Sequence, residues 1–301
     1  MKYTLATIER AGKALGCVEI GDRFFPLESA DSSFGLPGDL MALLRNWGGH
    51  LDALQRFADV CGNKPSGGIS SEEAKVIAPL LYPDKVLCAG ANYYDHLVEM
   101  GDPTPRKESQ RLFFFMKPPR TTIVGPGASV QYPLGSQMFD WEIELALVIG
   151  KRSHRLTMDN ALESIAAYTI AIDLSARDFN RAPEAFYKFD WVAGKAQDTC
   201  CPIGPGIVPA TFVKDPQSLT MKLSVNGEVK QHASTSGMVF DIREQLVTLS
   251  NIMTLEPGDV VLTGTPAGVG MASKTFLKPG DRIEAEIESL GRLDVTVGPS
   301  V

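Results

Sequence analysis

Phe139-Asp140-Trp141-Glu142-Ile143-Glu144-Leu145-Ala146-Leu147-Val148-Ile149-Gly150 reads as a strand bound for the interior, with acids at alternate positions. Residues two apart on a strand share a face. Asp140, Glu142 and Glu144 therefore fall on one side, and Trp141, Ile143 and Leu145 on the other. Carboxylates crowded beside an apolar run are costly unless positive charge neutralises them. A hard divalent cation would do so through oxygen ligands. Further along, Tyr168-Thr169-Ile170-Ala171-Ile172-Asp173 places another acid at the end of a second apolar run. Glu142, Glu144 and Asp173 would then form an open Mg²⁺ or Mn²⁺ site. The same spacing also fits a solvated strand face beside a helix-capping aspartate, and spacing does not choose between the two.

The surrounding composition is that of a soluble enzyme. A chain of 301 residues with 44% hydrophobic content can bury a sizeable core, as one large domain or two smaller ones. The net charge of −7 gives no electrostatic reason to expect nucleic acid or an anionic membrane as partner. No apolar run approaches the roughly 20 residues that span a bilayer. The start, Met1-Lys2-Tyr3-Thr4-Leu5, carries charge early and no continuous apolar stretch, unlike a signal peptide. Cys17, Cys61, Cys88, Cys200 and Cys201 are odd in number and hold no Cys-x-x-Cys pair. That pattern suits reduced thiols and a cytoplasmic setting, with Cys200-Cys201 as core packing.

Organisation follows from punctuation. Residues 1–28 alternate in short runs around a Gly21-Asp22 turn and read as two or three strands. Apolar spacing at Leu40, Leu43, Leu44, Leu51, Leu54 and Phe57 predicts one or two helices over 37–61. Asn63 to Ser71 is a linker by composition. The expectation is a small N-terminal α+β domain over 1–77, without chemistry of its own, packed against a domain over 78–301. In the second domain, strand-like runs recur at 86–90, 113–116, 145–149, 168–173, 220–226, 260–263 and 282–287. Helical patterns cover Tyr94 to Met100, Met158 to Ala167 and Ile242 to Met253. The mix predicts a strand-rich α+β fold, not a regularly alternating βαβ one.

Six segments in order then resemble one family. They are Gly90-Ala91-Asn92-Tyr93-Tyr94-Asp95-His96-Leu97-Val98-Glu99, Met116-Lys117-Pro118, Phe139 to Leu145, Asp173-Leu174-Ser175-Ala176-Arg177-Asp178, Gly194-Lys195, and Leu262-Thr263-Gly264-Thr265-Pro266-Ala267-Gly268-Val269-Gly270. Together they resemble the fumarylacetoacetate hydrolase family over about residues 80–298. The likeness is to its bacterial two-domain type, near acylpyruvate hydrolases and 2-hydroxyhepta-2,4-diene-1,7-dioate isomerases. The resemblance implies a rolled mixed β-sheet catalytic domain, a homodimer, and one Mg²⁺ or Mn²⁺ on three carboxylates. It also implies cleavage of acylpyruvate-like β-diketo acids, with a place in aromatic-compound catabolism. Relatives of this kind also decarboxylate oxaloacetate-like acids, or isomerise hydroxymuconate-type acids.

The residues support that chemistry on their own terms. A 2,4-dioxo acid offers a carboxylate and an adjacent keto oxygen for chelation, and C–C cleavage leaves an enolate that a cation stabilises. Three carboxylates around a 2+ ion leave about −1, so an anionic substrate needs added positive charge, for which Lys195, Arg177 and Lys117 are candidates. His96 and Glu99, three apart, can share a helical face. Glu99 would orient the imidazole and His96 would deprotonate water; a surface His-x-x-Glu pair is the bland alternative, and the matching motif favours the catalytic one. Lys195 sits where the family points a lysine at the substrate. Gly264 and Thr265 lie in a glycine-rich loop whose N–H and hydroxyl groups would meet the substrate carboxylate. Neither Gly-Lys-Ser/Thr nor Gly-x-Gly-x-x-Gly is present, so no nucleotide cofactor is expected. Asp178 fits an outer role at the metal, an Arg177 partner or a cap. Tyr94 and Tyr187 fit a pocket wall or the core. The aromatic, basic stretch 179–190 fits a lid or an ordinary surface loop.

The leading expectation is therefore a metal-dependent C–C hydrolase of a small-molecule oxo acid. A decarboxylase or enol–keto isomerase on the same metal is the alternative, and a non-catalytic binder of metal and oxalate the third.

Overall fold

The computed structural model describes residues 1–300. Two β-sheets face each other across one large core. The first runs in space from Arg23–Pro26 through Lys13–Ile20, Thr4–Arg10, Cys201–Pro209, Ile165–Ile172, Ile143–Ile149, Val260–Leu262 and Val86–Gly90 to Phe113–Lys117. The second is five-stranded: Glu228–Ser234, Thr220–Val225, Arg282–Ile287, Gly291–Ser300 and Ser129–Tyr132. Most neighbours are antiparallel. Val260–Leu262 with Val86–Gly90, and Gly291–Ser300 with Ser129–Tyr132, run parallel, so both sheets are mixed.

The central strands are buried on both faces, which explains their near-continuous apolar sequence. In Ile143–Ile149 the odd positions Ile143, Leu145, Leu147 and Ile149 enter the core between the sheets. Ala146 and Val148 enter a second core beneath the N-terminal helices. Glu144 lies on that second face. The neighbouring strand Ile165–Ile172 repeats the scheme, with Ile170 and Ile172 on the bulky side and Ala167 and Ala171 on the small side.

Several expected elements stand where the sequence puts them: helices Leu40–Arg45, Trp47–Gly62, Tyr94–Glu99 and Ile242–Ile252. The last opens with a capping box between Asp241 and Glu244. The helix expected over Met158 to Ala167 does not form. Only a short 3-10 turn, Ala161–Ser164, precedes a strand that begins at Ile165. The run Ile165 to Ile172 pairs on both sides, so sheet hydrogen bonds override a pattern that helical spacing also fits. The alternating acids are likewise not on one unbroken strand. Phe139–Asp140 pairs with Ser175–Ala176, and the chain re-enters the large sheet only at Ile143.

Residues on the two sides of position 78 pack together. Thr4–Arg10 joins the large sheet through the single pair Leu5 with Ile207. Leu40, Leu44, Leu54 and Phe57 share a core with Val86, Ala146, Val148 and Leu262. No helix among the described residues is long and apolar enough to cross a membrane.

Candidate metal centre

Strand pairing brings the three carboxylates together. Ile143 is opposite Ile172, so the residues just outside that pair, Glu142 and Asp173, are neighbours, and Asp173 N donates to Glu142 O at 2.8 Å. Glu144 is two residues further along. Glu142, Glu144 and Asp173 each offer an oxygen within 4.8 Å of the others, and all three are buried.

Cations line this cluster. Arg177 donates from Nε to Asp140 Oδ2 (2.8 Å) and from Nη2 to Glu142 Oε1 (2.5 Å). Lys195 Nζ bridges Glu142 Oε2 and Asp173 Oδ2, both at 2.7 Å. Lys195 reaches them because of its neighbour: a Cβ on Gly194 would collide with Asn180, so glycine alone lets the helix Trp191–Lys195 pack this closely. Asp190 caps that helix by accepting from Ala193 N.

The electrostatics split the acids. Burial pushes Glu142 up, but Arg177 and Lys195 outweigh it and hold its carboxyl below the usual range. Burial, with Asp173 and Glu142 adding to it, drives Glu144 well above that range. Burial would lower Lys195, yet Asp173 and Glu142 keep it above its ordinary value.

A divalent cation fits these residues. Asp173 Oδ1 is buried and accepts no hydrogen bond. Lys117 Nζ lies 2.7 Å from it, but spends its protons on the carbonyls of Leu174, Lys195 and Cys200. With all four carboxylates ionised, as holding a cation would require of the three ligands, Asp140, Glu142, Glu144 and Asp173 against Arg177, Lys195 and Lys117 leave one net negative charge. A 2+ ion would turn that into one net positive charge, which suits an anionic substrate.

The remaining predicted residues divide. His96 Nδ1 is 2.7 Å from Glu99 Oε1, and Glu99 Oε2 accepts from Gly268 N at 2.9 Å, so the carboxylate fixes the imidazole while itself being fixed. His96, Arg177 and Lys195 line one cavity of about 240 Å³ with Glu142 and Glu144. Four residues expected at the substrate are placed as follows. Lys117 is fully buried behind the centre, where it braces backbone carbonyls. Gly264 N, at φ +96°, donates to Glu144 Oε2 at 2.5 Å, because a carboxylate is already beside it. Thr265 lines the cavity, but its hydroxyl donates to Ile143 O (2.8 Å) and accepts from Gln231. Tyr94 faces outward, 38% exposed, since Tyr93 takes the inward position.

Asp178 accepts from Ser136 Oγ and Gln137 N, the structural cap among its alternatives. Tyr187 is 83% exposed and belongs to neither wall nor core. The segment 179–190 closes as a loop through an Arg181–Phe189 bridge, with Asn180, Arg181 and Phe189 on the cavity. All five cysteines are free and buried.

Two positioning groups escape sequence reasoning. Asp140 accepts from Gly270 N, Met271 N and Arg177 Nε, and so aims the guanidinium. Its place in the Asp140–Glu142–Glu144 alternation was the available signal. Asn92 Nδ2 donates to Thr263 O and Phe240 O, tying the His96 loop to the glycine-rich loop.

Comparison with known proteins gives a consistent result. The family described as Fumarylacetoacetate (FAA) hydrolase C-terminal matches residues 85–298. The chain is 43% identical to oxaloacetate tautomerase FAHD2A, mitochondrial, of Bos taurus over 221 residues, 73% of this chain and 68% of that protein. The fumarylacetoacetate hydrolase (EaFAH) from psychrophilic Exiguobacterium antarcticum superposes with a TM-score of 0.81 at 32% identity, covering 99% of both chains. Fumarylpyruvate hydrolase from Pseudomonas aeruginosa, solved in complex with Mn²⁺ and pyruvate, superposes at 0.65 with 32% identity, covering 75% of this chain and 92% of that one.

Proposed function

This chain belongs to the fumarylacetoacetate hydrolase family, and we propose from that premise a divalent-metal-dependent hydrolase that cleaves a C–C bond in an acylpyruvate or fumarylacetoacetate-like β-diketo acid. The observation that carries this reading is the meeting, in one cavity, of a buried three-carboxylate cluster and a Glu99-oriented imidazole. When bound at Glu142, Glu144 and Asp173, Mg²⁺ or Mn²⁺ supplies Lewis acidity to the carboxylate and adjacent keto oxygen of a 2-oxo acid.

The chain's own groups do the rest. Lys195 spends two of its three protons on Glu142 and Asp173 and has one left for the substrate's anionic end. Arg177 spends two of five and holds further donors on the same side. His96 takes a proton from water as the water oxygen bonds to the distal carbonyl carbon. The bond from that carbon to the pyruvate methylene breaks, and its electron pair stays on the pyruvate fragment. The proton on His96 passes to that methylene carbon, giving a carboxylic acid and pyruvate.

A second reading keeps the site and drops the water attack. His96 would then move a proton between carbon and oxygen of an enol–keto pair, the reaction named for the bovine relative. Decarboxylation of an oxaloacetate-like acid is a further variant. The homodimer and the catabolic role rest on the family resemblance and the cytoplasmic setting on the cysteine pattern, and the bovine relative is named as mitochondrial.

Proton NMR of acetylpyruvate with the protein and Mg²⁺, against an EDTA control, tests the first reading. Acetate and pyruvate forming only with metal supports it. No cleavage, together with accelerated loss of the oxaloacetate enol absorbance, replaces it with the second.

A further inference from the structure

The cavity changes character along its length, and one strand marks the gradient. In Phe113–Lys117 alternate residues share a face. Lys117 is buried at the carboxylate centre, Phe115 is next, and Phe113 stands at the mouth, 38% exposed. At about 3.3 Å per residue, Phe113 lies roughly 13 Å along the strand from Lys117. Lys195 Nζ sits 5.0 Å from the Phe115 ring centroid, so Phe115 is where charge gives way to aromatic surface.

Beyond that point the wall is aromatic. Trp191 stacks on Phe115 at 5.2 Å with 12° between planes, and Phe189 stacks on Trp191 at 5.9 Å, again at 12°. Phe113 tilts against Trp191 at 5.5 Å. Phe189 and Trp191 are 54% and 37% exposed, and Met100 extends the same surface. Clustered exposed apolar side chains continuous with a polar pocket mark a ligand groove. A four-carbon diacid held at the carboxylates has nothing to lay against them.

We propose that the distal arm of the substrate carries a flat apolar group, aromatic or an extended conjugated chain, that packs along the exposed surface made by Phe113, Trp191 and Phe189, and that these residues set acyl specificity. The inference rests on a 2-oxo acid head being held at the carboxylate centre. Flat faces suit rings, because offset and edge contacts between π-systems add to simple burial.

Three 2-oxo acids that cannot be cleaved test this by calorimetry with Mg²⁺ present: 2-oxobutanoate, 4-phenyl-2-oxobutanoate and 2-oxohexanedioate. Burying a phenyl group should make the second bind at least roughly tenfold tighter than the first. Trp191→Ala should bring that ratio down to about two, and Phe113→Ala, at the mouth, should reduce it partway. Equal affinities for the methyl and phenyl acids in the unaltered protein would overturn the inference and leave the head-group reading standing. So would a phenyl preference that survives both substitutions. Tightest binding of 2-oxohexanedioate would overturn it in favour of a distal carboxylate met by Arg181, which also lines the cavity. If none of the three binds, the head-group reading fails and the inference falls with it.

Discussion

The two ends of the cavity are built by opposite means. At the inner end Glu142, Glu144, Asp173, Lys117 and Lys195 are buried and almost every one is fixed: Glu142 by Arg177 and Lys195, Glu144 by Gly264 N, Lys117 by three carbonyls. At the outer end Phe189 and Trp191 stand 54% and 37% exposed, and the loop that carries Phe189 leaves Phe186 and Tyr187 at its tip 89% and 83% exposed. The inner end is rigid because a buried charge with a misplaced partner costs several kcal/mol. Apolar contact is non-directional, so the outer end needs no such precision. The difference suggests a division of labour, with common chemistry fixed inside and substrate choice left to a more adaptable rim.

Substitutions can break that comparison in order of severity. Glu144→Gln keeps an acceptor for Gly264 N but removes a charged oxygen from the cluster. It should abolish metal binding by calorimetry and lower turnover by about a thousandfold or more. Retained metal-dependent turnover would mean that the cluster is not the metal centre. His96→Ala should leave metal affinity intact and cut kcat by roughly a hundred- to ten-thousandfold. A change in metal affinity instead would shift His96 from proton transfer to ligand support. Lys117→Met leaves three carbonyls and Asp173 without their cation. It should destabilise the fold by about 3–5 kcal/mol, seen as a lower urea midpoint. If the midpoint held, the buried brace would be dispensable and the inner end less rigid than its geometry implies. Phe186→Ser, at the loop tip, should move stability by no more than about 0.5 kcal/mol. A large loss there would show that the loop tip is packed against something in solution.

The inner end was the legible one. Acids at every second position of an apolar run cannot be hidden without compensation, which singled out Glu142 and Glu144, and Asp173 at the end of a second run joined them through the family motif. Helical spacing lets His96 and Glu99 meet, since i and i+3 share one face, but it was the motif around them that marked the pair out from a surface one. Lys117 was misread because a lysine in sequence carries no sign of whether its ammonium will meet substrate or backbone. Gly264 was misread because an anion-binding loop looks the same whether its anion is a ligand or the protein's own glutamate. The 158–167 segment went astray because short apolar runs satisfy both periodicities, and only the flanking strands decide between them.

What the sequence determined by itself is therefore which groups to watch: the three carboxylates that cluster, the His96–Glu99 pair, and a strand-rich fold to hold them. These are set by local periodicity and by the cost of burying charge, both properties of short stretches of chain. What only the tertiary structure decided is the assignment of partners and the shape of the rim. Asp140 aims Arg177 across 37 positions, and Phe115, Trp191 and Phe189 stack from two separate segments. Such meetings depend on how strands register and loops close, and the packing of the whole chain settles them at once.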